Sequence, residues 1–203
     1  KAKPKTKKFA DDLLPSIVIG DGHFGMRADA RETKEQDYDT KIAAKSHLEA
    51  IDYLTSVSTA SEHSLLVNVG DFIHANGSAG TTFGGTRLDV DTRIEVVLEI
   101  AAQTFIFAIE KMLSKHKNVS VIIARGNHDS DTAIALALIL KFYYQKEKRV
   151  NILDPHGFFH TLVFGKTLIA VHHGDKIKAP KLAAILPRML PDQWSSTNYL
   201  KWL

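Results

Sequence analysis

One device recurs four times along the chain. A short apolar, β-branched run stops at residues that can both turn the backbone and bind a metal. SIVIG (16–20) leads into Asp21-Gly22-His23, and LLVNVG (65–70) into Asp71, with His74 three residues on. VSVIIAR (119–125) leads into Gly126-Asn127-His128-Asp129, and TLIAV into His172-His173-Gly174-Asp175. Any one of these is ordinary turn chemistry, since Asp-Gly and Gly-Asn favour turns and Asp after Gly can cap a helix. Four in one chain, each carrying an oxygen or imidazole ligand, are hard to assign to turns alone.

The stretches between the runs carry helical periodicity. A helix is expected from about Tyr38 to Val57, with Leu48, Ile51 and Leu54 on its inner face. In the clearest helix, Ile94, Val97, Leu98, Ala101, Phe105, Ala108, Ile109 and Met112 recur at spacings of three and four. Ser130 is placed to cap a third helix through AIALALILKFYYQ. GFFHTLVF and TLIAVHH flank Gly165-Lys166, which predicts a β-hairpin. A last helical stretch is expected near Lys181 to Met189. Strands alternating with helices and followed by a hairpin predict an α/β fold whose sheet is partly parallel and partly mixed.

In such sheets ligands bind beyond the carboxyl ends of the strands. The four endings should therefore share one edge. With no cysteine in 203 residues, metal ligands must come from oxygen and imidazole, a donor set suited to Mn²⁺, Fe or Zn²⁺. Two such ions about 3.5–4 Å apart can share a carboxylate, produce a hydroxide nucleophile and neutralise phosphate charge. A nearby imidazole that binds no metal can then protonate the leaving alkoxide. The expected chemistry is two-metal phosphoester hydrolysis.

Charge adds little. Of 26 basic residues, five are lysines in KAKPKTKK at the start; the rest of the chain has 21 basic against 23 acidic residues. The basicity is that of a flexible tail or linker, and the body shows no overall basic character, which weakens any argument for DNA binding from net charge. No apolar run approaches a membrane span. The lack of cysteine fits a cytoplasmic protein.

The blocks Asp-x-His, Gly-Asp, Gly-Asn-His-Asp and a later His, in this order from Asp21 to His173, resemble the calcineurin-like metallophosphoesterase superfamily. The resemblance implies a four-layer αββα sandwich, two mixed β-sheets flanked by helices. By position it implies that Asp21 and His23 bind a first metal, Asp71 bridges both, and Asn127 and His173 bind a second. His172 is the lesser alternative to His173, and His128 is the catalytic imidazole. The implied cofactors are two divalent ions, Mn²⁺ first, with Fe, Zn²⁺ or Mg²⁺ as alternatives. DGHFG and GNHD are similar to blocks of SbcD-like DNA repair nucleases, and the whole looks like phage-encoded phosphoesterases, in some of which an upstream DNA-binding module precedes the domain. The implied substrate is DNA or another phosphodiester, and the implied location is the cytoplasm (that of a host if phage-encoded).

The pattern departs from the family in two places. In GDFIHAN, His74 stands where protein phosphatases of the family carry an aspartate, and no Arg-Gly follows. That argues against a phosphoprotein phosphatase and leaves the partner that orients His128 unassigned. YLKWL reads as the strand leading into a final Gly-His-x-His block, which is missing, so the expected domains are a tail over 1–12 and a metallophosphoesterase domain over 13–203 that continues past Leu203. The alternatives are a phosphoesterase for small molecules and a non-catalytic scaffold with an incomplete metal site. Asp89 and Asp91 are expected to serve as a helix cap and surface charge rather than as a third metal site.

Overall fold

The structure is a computed structural model that describes residues 9–177 and 179–203. Most of the expected basic tail, residues 1–8, lies outside the described residues. Within that expected tail, Ala10 bridges to Ser61 on the body, its N–H donating to the Ala60 carbonyl at 3.0 Å.

Four strands form the larger sheet: β1 (Ser16–Ile19), β2 (His63–Asn68), β3 (Asn118–Ile123) and β4 (Val150–Ile152), in that order. Every pairing in it is parallel. Helices make the crossovers: α1 (Ala30–Thr33) and α2 (Thr40–Val57) join β1 to β2, α3 (Ile94–Lys115) joins β2 to β3, and α4 (Thr132–Tyr143) joins β3 to β4. The predicted hairpin is present as β5 (His160–Phe164) and β6 (Thr167–Val171), closed by Gly165 in the left-handed region. After α5 (Ala179–Met189) and α6 (Pro191–Ser196), β7 (Tyr199–Trp202) returns parallel to β6 and completes a smaller, mixed sheet. Mixing of strand direction is thus confined to the smaller sheet.

Side-chain alternation along the strands explains the layering. In β2 and β3, Leu66, Val119, Val121 and Ile123 face a core with Phe105, Ile109 and Met112 of α3 and Leu136 of α4. Their neighbours Leu65, Val67, Ile122 and Ala124 face the opposite way and pack on Ile169 and Val171 of β6. The other face of β6, Leu168 and Ala170, meets Leu186 of α5. The order is helices, sheet, sheet, helix, as the family resemblance implied. Full burial of each large side chain in these layers contributes about 1.5–3 kcal/mol.

Two local expectations fail. Of the predicted α2 face only Ile51 is buried; Leu54 is 44% exposed, and Ala43 with Thr55 shares the inward side instead. Ser130 does not cap α4. The cap position is Asp131, with no side-chain bond, while the Ser130 carbonyl and hydroxyl accept from Arg125. Asp91 does cap a helix, but through space: its carboxylate accepts from Thr40 N–H at the start of α2, 3.0 Å away. Among the described residues, no helix is long and apolar enough to cross a membrane.

Candidate metal centre

Parallel strands bring their carboxyl ends to one edge, and the loops leaving β1 and β2 stay zipped together beyond it. Asp21 N–H donates to the Gly70 carbonyl at 3.3 Å, His23 N–H to Asp71 at 3.0 Å, and Phe24 N–H to Phe72 at 2.7 Å. Beneath them Phe24 stacks on Phe72, ring centroids 4.3 Å apart, and Phe105 of α3 meets Phe72 edge-on at 4.9 Å. The Tyr38 hydroxyl braces the first loop by donating to the Gly22 carbonyl. Asp21, His23 and Asp71 all adopt positive φ, at 48°, 42° and 52°. Left-handed backbone at residues other than glycine costs about 1–3 kcal/mol each. Three such residues in one site mean the fold holds these side chains against local preference.

Two groups of ligand atoms result, each within 4.8 Å: Asp21 with Asp71 and His173, and His23 with His74 and His128. Asp71 is central. One carboxylate oxygen accepts from the His128 backbone N–H at 2.8 Å, and the other lies 3.2 Å from His173 Nε2. Burial alone would raise its pKa, but the bonds from His173 and from the His128 amide outweigh burial and hold it below the ordinary carboxylate value. Glycine makes this approach feasible. A Cβ at Gly126 would sit 1.9 Å from Asp71 Oδ1, and one at Gly70 would sit 2.6 Å from His173 Nδ1.

His173 arrives from β6, in the other sheet. Its Nδ1 lies 3.0 Å from the Val69 carbonyl, which can only accept, so Nδ1 carries a hydrogen. Nε2 is left facing Asp71 and, at 3.3 Å, Asn127 Oδ1. The bond to Asp71 raises the His173 pKa to about 9. His172 points elsewhere: it stacks on Phe159 at 4.6 Å and accepts from the Gly174 N–H at 2.8 Å.

His128 is oriented by a backbone group. Its Nδ1 donates to the His74 carbonyl at 2.7 Å, which leaves Nε2 available. The His74 ring also enters the site, its Nδ1 3.2 Å from His23 Nδ1. Burial, followed by the nearby His23, lowers the His74 pKa to about 4. Burial, then His128, also lowers that of His23. Both rings are therefore neutral at pH 7, the form in which imidazole binds a metal.

Asp129, fully buried, ties the site together. It accepts from Gly126 N–H (2.8 Å), Asp71 N–H (3.2 Å), Phe72 N–H (2.9 Å) and Ile73 N–H (3.3 Å). Burial pushes its pKa up to about 6 against the pull of these donors. Sequence reasoning left His74 open between a contact with substrate or metal and a supporting or loop-packing role, and left Asp129 off the site. The first acts on His128 through a main-chain carbonyl, which carries no sequence signal; the second was visible only as the last letter of GNHD.

All six residues singled out from the sequence (Asp21, His23, Asp71, Asn127, His128 and His173) thus converge here. The donor set is carboxylate, amide oxygen and imidazole with no sulfur. Apart from Asp21, whose side chain is 70% exposed, its polar atoms are turned inward and partly fixed by outer hydrogen bonds, as a hard or borderline divalent cation requires. A family model described as calcineurin-like phosphoesterase matches residues 14–203. No curated protein and no solved structure matches the chain.

Proposed function

The chain belongs to the calcineurin-like phosphoesterase family, and from that premise we propose that it is a divalent-metal-dependent phosphodiesterase acting on DNA. The observation that carries the proposal is the convergence of Asp21, His23, Asn127 and His173 around the buried carboxylate of Asp71, with His128 held beside them. Asp21 and His23 would hold one cation, Asn127 and His173 another, and Asp71 would face both; Mn²⁺ is the first candidate. Divalent ions there supply Lewis acidity toward phosphate oxygens and lower the pKa of water.

The remaining chemistry belongs to the chain. His173 keeps Nε2 toward Asp71 because Nδ1 is tied to Val69. His128, pinned through Nδ1, offers Nε2 as the proton donor. As water oxygen bonds to phosphorus and the phosphorus–oxygen bond to the leaving group breaks, the imidazolium form of His128 would pass its Nε2 proton to the departing alkoxide. His74 replaces the aspartate of phosphoprotein phosphatases, and its carbonyl takes over the orienting task. This supports a diester substrate over a phosphoprotein.

The test is cleavage of end-labelled single- and double-stranded DNA with Mn²⁺, with His128→Ala alongside. Cutting should require the metal and fall about 10²–10⁴-fold in the variant while Mn²⁺ binding persists. Turnover of bis(p-nitrophenyl) phosphate without any DNA cutting would move the substrate to small phosphoesters. Undiminished cutting by the variant would remove His128 from its role.

A further inference from the structure

We propose that Phe83 and Phe158 form an aromatic platform on which an unpaired nucleobase stacks beside the metal centre, so that the substrate strand enters single-stranded. The proposal rests on the phosphodiesterase reading above and specifies the form of its substrate.

Phe83 sits in the glycine- and threonine-rich stretch ANGSAGTTFGGT, where a solvated side chain would cost least, yet a large aromatic ring stands there 55% exposed. Its position is fixed from behind: the Phe83 N–H donates to the Asn127 carbonyl at 3.0 Å, tethering the ring to a residue of the metal centre. Phe158 reaches the same region from the segment before β5 and is half-buried. The Arg125 guanidinium lies 4.5 Å from its ring centroid. That guanidinium is itself held by the Ser130 carbonyl at 2.8 Å and hydroxyl at 2.9 Å, so the cation against Phe158 is a fixed one.

Both rings lie near one lysine. Lys176 Nζ lies 6.0 Å from the Phe83 centroid and 5.8 Å from that of Phe158. It is paired with Asp175 at 2.8 Å but rides on a flexible four-carbon stem. A ligand offering a flat π-face and an adjacent anion suits both the exposed Phe83 ring and the lysine beside it. The base would stack on the aromatic surface, and Lys176 would leave Asp175 for the flanking phosphate. Aromatic rings paired with cations are the means by which proteins bind single strands without reading sequence. A base inside a duplex is already stacked on its neighbours and cannot enter.

The test is fluorescence anisotropy of a labelled oligothymidylate binding the full chain in Ca²⁺, with an abasic strand of equal length in parallel. Wild type should bind oligothymidylate more tightly than the abasic strand. Phe83→Ala and Phe158→Ala should each weaken oligothymidylate binding by about 5- to 100-fold and leave abasic binding little changed. Phe83→Tyr, which keeps the ring, should restore binding and so exclude a folding defect. Equal affinity for the two strands, alanine variants that bind as wild type does, or no binding by wild type would each overturn the platform. The phosphodiesterase reading stands or falls separately, on metal-dependent turnover in wild type, because this assay requires none.

Discussion

Gly126 shows how little freedom the site leaves a single residue. Its missing side chain is the space that Asp71 occupies, so Gly126→Ala must push the carboxylate away. Calorimetric titration of this variant with Mn²⁺ should show affinity reduced about 10- to 100-fold, in line with losses from disturbing the groups around a metal ligand. His173 supplies a pH signature. Its pKa is raised to about 9 by its bond to Asp71, so the stability it contributes is present below pH 6.5 and lost as pH rises through about 9. A cation taking Nε2 must first displace that proton. Mn²⁺ affinity should therefore rise by up to about tenfold per pH unit between pH 7 and 9, and His173→Gln should flatten the slope. An unchanged slope in that variant would mean His173 is not a ligand. The six candidate residues were legible because each combines a ligand-forming side chain with a strand ending. His74 was not assigned, since the group that orients His128 is its carbonyl.

At the scale of elements, Asp129 stitches the turn after β2 to the turn after β3 through four backbone N–H groups. Asp129→Asn replaces one acceptor oxygen with a donor facing donors. It should lower stability by about 2–4 kcal/mol in urea unfolding, the scale of a buried charged acceptor lost. Strands and α3 were readable because burial imposes a clear period of 2 or 3.6 on them. The inner face of α2 was misread at Leu54. The helix lies against α3 as well as the sheet, and small residues such as Ala43 permit the close approach while Tyr53, Leu54 and Val57 stay exposed. The short helices α1 and α6, of four and six residues, are too brief to show any period.

For the molecule as a whole, the centre is shared between two sheets: His173 comes from β6, while Asp21, His23, Asp71 and Asn127 follow strands of the larger sheet. Sheet-on-sheet packing should thus govern metal affinity more than helix packing does. Ile122→Ala, between the sheets, and Ile109→Ala, on the inner face of α3, remove equally buried side chains and should each cost about 2–5 kcal/mol. Only the first should weaken Mn²⁺ binding as well. The larger sheet could be anticipated from alternating strands and helices. Pairing of β7 with β6 could not, because nothing in YLKW specifies its partner. The most direct measurement of the central claim is turnover of bis(p-nitrophenyl) phosphate across a Mn²⁺ titration, for wild type and Asp71→Asn. The account predicts no turnover in chelator, saturation with Mn²⁺, and a loss of about 10²-fold or more in the variant. Turnover that ignores the metal, or a variant as active as wild type, would contradict it.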